Sequence, residues 1–189
     1  MHDAATALLA LWNDVDPAFD AEYNDWHANE HVPERLTVPG MLWGRRYGLR
    51  QDAAMPRYLT LYGLRSAEVL DSEPYGRLLN HPTPMSRAMR PRLRHLSRWV
   101  CKLHEQTDLD RSEWLAVQTR DSEPDAGSGR LLAQRLPEAR PLPWLQATQD
   151  RTIEGRWLVC VPLDAGAGPE RSAAAVTVYS RLPVGLRMH

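Results

Sequence analysis

Lysine is almost missing from this chain. It occurs once, at Lys102, among 23 basic residues in a chain of 189. Phenylalanine also occurs once, and cysteine twice. No apolar run approaches the roughly 20 residues of a membrane-spanning helix. Neither sign of charge prevails, since 24 acids against 23 bases leave a net charge of -1. Each shortage excludes something. Balanced charge gives nucleic acid or an anionic membrane nothing to hold. Cys101 and Cys160 form no CxxC pair and sit in the apolar runs WVCKL and WLVCVPL. They read as buried free thiols in a reducing cytoplasm. The N-terminus MHDAATALLALW carries an acid and no basic segment, which is not the pattern of a signal peptide. A cytoplasmic location is the expectation. No glycine-rich phosphate loop and no nucleophile elbow is present.

The length suits one domain, or two small halves sharing a core. The chain opens with TALLALWN at 6–13, an apolar run of strand type. Asp16-Pro17 is an N-cap followed by an N1 proline, so a helix is expected from Pro17 to about Val32. Pro33 should kink or end it. Pro39-Gly40 makes a turn. Strands follow at 41–50 and 57–64, then a helix from Ser66 to Leu79, a basic helix at 86–94 and a strand at 95–104. In the second half 113–120 reads as strand and 127–139 as helix. The stretches 142–149, 156–163 and 173–182 read as strands, with a Gly/Ala/Pro loop at 164–169. The first half is thus βαββαβ and the second a degenerate βαβββ. The predicted fold class is α+β, with two fused ferredoxin-like halves, 1–105 and 106–189, closing a barrel within one chain.

The stretch Glu22–Arg35, EYNDWHANEHVPER, concentrates the chemistry. At 100° per residue, Asn24, His27, His31 and Arg35 fall on one polar stripe. Phe19, Tyr23 and Trp26 fall on a neighbouring, core-facing side. An imidazole carries a proton either way near neutral pH, so His31 is the candidate general base or acid. Asn24 and Arg35 are candidates to hold an oxyanion or a carboxylate. His27-Ala-Asn-Glu30-His31 also matches the inverted zincin motif H-x-x-E-H. Zincins carry it on a long helix with a third ligand elsewhere, whereas Pro33 here interrupts two residues on. Trp43, Tyr47, Tyr58 and Tyr62 lie on the next two strands and, with His27, are candidates to line a substrate pocket. His81-Pro-Thr-Pro84 is either a rim over that pocket or a rigid turn. The arginine-rich run 87–98 reads as a solvated helix face.

Several separated segments in order carry a family likeness. They are EYNDW at 22–26, EHVPERL at 30–36, PG at 39–40, RRY at 45–47, PRYLTLY at 56–62 and HPTP at 81–84. Over about residues 6–104 the chain resembles the dimeric α/β barrel superfamily, and within it EthD-like proteins and a bacterial group of unknown function. The resemblance implies a barrel with a cavity that a helix-borne histidine faces, and His31 stands at that position. It implies no single reaction, because members include cofactor-free oxygenases, isomerases, cyclases and haem binders.

The function expected from these readings is acid–base catalysis, of isomerase, cyclase or cofactor-free oxygenase type, on a small and possibly aromatic organic molecule. The alternative is a non-catalytic small-molecule-binding or assembly protein. No cofactor is predicted, zinc and haem being the less favoured options. The expected partner is a small-molecule ligand, with no nucleic acid and no membrane, and the protein a monomer or homodimer.

Overall fold

The computed structural model describes residues 4–49, 55–137, 142–163 and 176–185. Eight strands form a closed barrel in which every neighbouring pair runs antiparallel. They are β1 Ala7–Val15, β2 Met41–Gly48, β3 Tyr58–Leu64, β4 Leu93–Glu105, β5 Trp114–Arg120, β6 Leu131–Arg135, β7 Trp157–Leu163 and β8 Thr177–Leu182. Around the barrel the order is β1-β3-β2-β8-β5-β7-β6-β4. The first four strands neighbour one another as 4-1-3-2, and the last four repeat that order as 8-5-7-6. The β2–β8 and β4–β6 ladders join the two sets.

Alternation along each strand sorts side chains to the two faces of the wall. Leu8, Ala10 and Trp12 of β1 point inward with Leu59 and Leu61 of β3, and Trp99 and Cys101 of β4. Leu115, Val117, Leu158, Cys160 and Tyr179 meet them from the other half. Trp12 and Trp99 cross edge to face, centroids 5.5 Å apart. An eight-stranded barrel is just wide enough for side chains to fill it, and this one is filled. Cys101 and Cys160 are both buried free thiols within it.

The helices lie outside, over the first four strands. Asp16 caps the first of them, its Oδ1 accepting from Ala18 N–H. A 3₁₀ turn at Pro17–Phe19 leads into α1, Asp20–Trp26. A π turn at His27–His31 follows, and then α2, Val32–Arg35. Pro33 therefore neither ends nor breaks the helix, contrary to expectation. The π turn accounts for this. Val32 N–H reaches back five residues to His27 O. Ala28 O would next need a donor from residue 33, and proline has none. Gly185 N–H supplies it across the molecule, at 2.9 Å. A Cβ on Gly185 would lie 3.2 Å from that same carbonyl oxygen, so glycine permits the approach. Such single-turn π segments recur at functional sites.

Ser66 does not cap a helix with its side chain. A 3₁₀ turn at Ala67–Asp71 precedes Ser72, which caps α3, Glu73–Asn80. Thr83 caps α4, Pro84–Met89, and Arg90–Arg92 is 3₁₀. The larger corrections fall in the second half. The helix expected at 127–139 is absent among the described residues, where β6 stands instead. Leu-Leu-Ala-Gln is a good helix sequence, but the gap between β4 and β7 demands a strand, and tertiary pairing overrides propensity. The strand expected at 142–149 is turn, with one bridge between Leu96 and Asp150. Pro143 suits a turn, and Gln149 anchors the segment by donating Nε2 to Arg90 O and Leu93 O. The loop at 164–169 lies outside the described residues, as does the start of the strand expected at 173–182. No helix among the described residues is long and apolar enough to cross a membrane.

Inside the wall, Trp43 of β2 pairs with Gly63 of β3, and its indole occupies the space over that glycine. A methyl group there would fall within the ring. Gly63→Ala is expected to cost about 2 kcal/mol of stability by overpacking. In denaturant melts the cost should shrink in the Trp43→Ala background. Additive costs would show that the indole is not the obstacle.

Candidate functional site

A cavity of about 50 Å³ lies between the outer face of β1 and β4 and the composite helix. Tyr23, Trp26, His27, His31 and Arg35 line it from the helix, and Leu11 and Asn13 from β1. Tyr75, Leu79, Arg90, Leu142 and Trp144 complete the lining. The volume admits a few waters or the polar end of a small molecule.

The helix brings its residues together by a change of pitch. A turn closed i→i+5 advances each residue by roughly 80–90° instead of 100°. His31 and Arg35 therefore rotate back into line with Tyr23 and His27. The rings stack in sequence, with Tyr23–His27 and His27–His31 centroids each 5.0 Å apart and Trp26–His31 4.5 Å. Tyr58 extends the stack through Tyr23, at 4.6 Å.

The polar atoms of this cavity are short of partners. His27 Nδ1, His31 Nδ1, Arg35 Nη1 and Trp144 Nε1 are buried and make no hydrogen bond among the described residues. Arg35 Nη1 has an ion contact, 3.6 Å from Glu34 Oε2. Buried polar groups in folded proteins are almost always bonded, so these atoms are available to water or to a polar ligand in the cavity. His27 and Arg35 are only 6% and 5% exposed. Burial holds both imidazoles well below the ordinary histidine pKa, and the guanidiniums of Arg35, Arg46 and Arg90 push the same way. Both rings are therefore neutral at pH 7, each with one N–H and one lone pair. Burial, then Arg35, also lowers Arg90, to about 10.

The sequence-predicted residues divide into three places. His27, His31 and Arg35 share the cavity. Asn24 does not. The pitch change leaves it to one side, in a network that fastens α1 to the barrel. Tyr58 Oη donates to Asp20 Oδ1 at 2.5 Å and accepts from Asn24 Nδ2 at 2.8 Å. Asn24 Oδ1 accepts from Arg46 Nη2 at 2.9 Å, and Arg46 Nη1 donates to Pro183 O at 3.0 Å. Burial raises the Tyr58 phenol to about 12, and its bond to Asp20 adds to the shift. Tyr62 shares this outer face of the wall without lining the cavity, and its hydroxyl is unpartnered among the described residues. Trp43 and Tyr47 point the other way, into the filled barrel. The four aromatics thus do not form one pocket wall, because β2 and β3 present them to opposite faces.

Glu30, the third member of the H-x-x-E-H match, turns away from the histidines and accepts from Thr83 Oγ1. Among the described residues no group of three or more His, Cys, Asp or Glu side chains converges on one point. The donor set at His27 and His31 does not fit a closed zinc site. His81-Pro-Thr-Pro84 does not rim the cavity. Its Thr83 ties α4 to the π turn instead. Several lining residues, Arg90 and Trp144 among them, lie outside the sequence-predicted site. Arg90 hid in the arginine run taken for a solvated face, and Trp144 in a segment read as strand. Pro91 beside Arg90, which ends α4 there, is the one local signal that could have drawn attention to it.

These features define the class as a closed eight-stranded antiparallel barrel with helices on one outer face. A solved structure of an anthrone oxidase-like protein superposes on it with a TM-score of 0.58. The alignment covers 95% of this chain and 92% of that one, at 12% identity. At that identity the likeness shows a shared barrel fold. No family model and no curated relative matches the sequence.

The neutral histidines make stability depend on pH. Their folded pKa values lie below the unfolded value near 6.5, so below pH 6.5 the unfolded chain takes up protons that the folded chain refuses. Stability from this source is complete above pH 7 and lost progressively as the pH falls through 6.5. From pH 7.5 to 5.5 the loss should be about 1 kcal/mol for His27, and somewhat less for the more exposed His31. Urea melts of the wild type and His27→Gln check this. An equal loss in both would place the acid sensitivity elsewhere.

Proposed function

We propose that the chain is a small-molecule enzyme that moves a proton at a carbon or oxygen acid held under the helix, with His31 as the base. One observation carries the reading. Two neutral imidazoles, each with an unpartnered Nδ1, face a cavity beside the unbonded Nη1 of Arg35. A neutral imidazole takes a proton, and an adjacent guanidinium stabilises the oxyanion left behind. His27, stacked on His31, is the companion donor or acceptor. Asn24 is a positioning residue in this account, since it reaches the cavity only through the helix it anchors. Tyr58 belongs with it. Tyr62 belongs to the outer face that the helix packs on, and Trp43 and Tyr47 fill the barrel behind it.

The reading needs no cofactor. It supports the isomerase, cyclase or cofactor-free oxygenase types, all of which can begin with proton abstraction. The EthD-like likeness of the first half and the division into fused ferredoxin-like halves, 1–105 and 106–189, belong to the same proposal. The repeated strand order supports that division. The solved neighbour's description as anthrone oxidase-like supports an enolisable, aromatic kind of substrate. A three-ring ketone exceeds a cavity of about 50 Å³, so the proposed chemistry concerns the acidic end of the substrate. Closure of the barrel within one chain supports a self-sufficient monomer.

Deuterium exchange at carbon in D2O, followed by proton NMR over a panel of small enolisable ketones and keto acids, tests the reading. The wild type should accelerate exchange for at least one of them. His31→Ala should reduce that rate about 100-fold or more. Arg35→Gln should reduce it less and raise KM. A wild-type rate in His31→Ala would remove His31 as the base.

A further inference from the structure

The charges around the cavity do not balance. Two guanidiniums face it, from Arg35 and Arg90. Its lining includes no aspartate, glutamate or lysine. The carboxylate that reaches this pair is Glu34, at 3.6 Å from Arg35 Nη1 and acting electrostatically on Arg90. Two positive charges against one negative leave a surplus of one, and the neutral histidines do not alter it. Arg35 is buried and Arg90 partly so, and charge withdrawn from water is costly unless a counter-charge meets it.

Arg90 is fixed in a manner suited to a clamp. Its Nη1 donates to Leu79 O at 2.9 Å and its Nη2 to Leu78 O at 3.2 Å, both carbonyls in the last turn of α3. Its guanidinium lies 4.9 Å from the Trp144 ring. These bonds hold the charge at the cavity wall, and they leave it without a carboxylate of its own. Arg35 lines the same cavity, with Nη1 unbonded. Leu11, Leu93, Leu96 and Trp26 give the lining its apolar part, and Asn13 and Tyr23 stand among them, their side chains bonded to each other. The cavity thus combines two guanidiniums, two imidazole donors or acceptors, and an apolar surface.

We propose that this cavity binds a small monocarboxylate, its carboxylate between Arg35 and Arg90 and its short apolar body against the leucines. Arg90 is then a specificity-determining residue that selects the anion. The inference deepens the reading of the same site as catalytic and rests on that reading only in treating the bound acid as substrate. The carboxylate accepts from Arg35 Nη1 and from the N–H of whichever histidine tautomer presents one. The other histidine keeps a lone pair for proton transfer.

The probes are acetate and acetamide, which match in size and shape and differ in charge. Binding is read from amide shifts in nitrogen–proton correlation spectra and from the melting temperature. Ionic strength is held constant with a bulky anion. Sodium acetate should saturate with shifts clustered on residues 26–35 and 75–93 and should raise the melting temperature. Acetamide should do neither. Arg90→Gln should weaken acetate about tenfold, the scale of one charge-assisted contact. Arg90→Lys, which keeps the charge, should recover part of the loss. Equal effects of acetate and acetamide on the wild type would overturn the inference without recourse to a variant. So would undiminished acetate binding in a folded Arg90→Gln. Acetate binding with no loss of exchange in His31→Ala would overturn the catalytic reading alone. Loss of exchange with acetate and acetamide equivalent would overturn the carboxylate site alone.

Discussion

Closure of the barrel is the constraint on which the rest depends. The β2–β8 and β4–β6 ladders join the outer strands of the two halves and close the sheet on itself. Eight strands make an interior that side chains fill, here with Trp12, Trp99, Tyr47 and Tyr179 among leucines and valines. The cavity that holds the histidines lies outside the wall, under the helices. The outer faces of β1 and β4 form its floor, and the helix between β1 and β2 forms its roof.

That roof is shaped by a local irregularity with a physical sequence of causes. Pro33 removes a backbone donor. The π turn shifts the pattern so that the undonated carbonyl is that of Ala28, and Gly185 satisfies it from the far end of the chain. The wider turn rotates His31 and Arg35 into register with Tyr23 and His27. The imidazoles then lie in a buried column of rings among three guanidiniums, which keeps them neutral. A continuous α-helix of the same sequence would spread these groups over a broader arc.

Much of this could be read before the structure. The first half was legible because its strands are long, strongly patterned and joined by clear turns, as with Tyr58, Thr60 and Tyr62 facing opposite to Leu59 and Leu61. The helix was legible in its existence and start, from Asp16-Pro17. Its pitch was not. A uniform 100° step put Asn24 on the stripe, and only the π turn removes it. In the second half, Leu131–Arg135 carries helix-forming residues in a strand, because pairing with β4 and β7 outweighs a propensity of tenths of a kcal/mol per residue. Arg90 and Trp144 were illegible as site residues for a related reason. Each comes from a segment whose sequence looks solvated or strand-like, and contacts distant in the chain bring it to the cavity. The H-x-x-E-H match shows the reverse failure, since a pattern with the right spacing lost its glutamate to Thr83.

The central claim is that the cavity roofed by the π turn holds a polar guest between Arg35, Arg90 and the histidine pair. Crystals soaked in sodium bromide and measured at the bromine edge test it most directly. The account predicts an anomalous peak inside the cavity, within contact distance of Arg35 Nη1 and at least one histidine Nδ1. An empty cavity, with both imidazoles hydrogen-bonded to protein groups and Trp144 packed into the space, would contradict it.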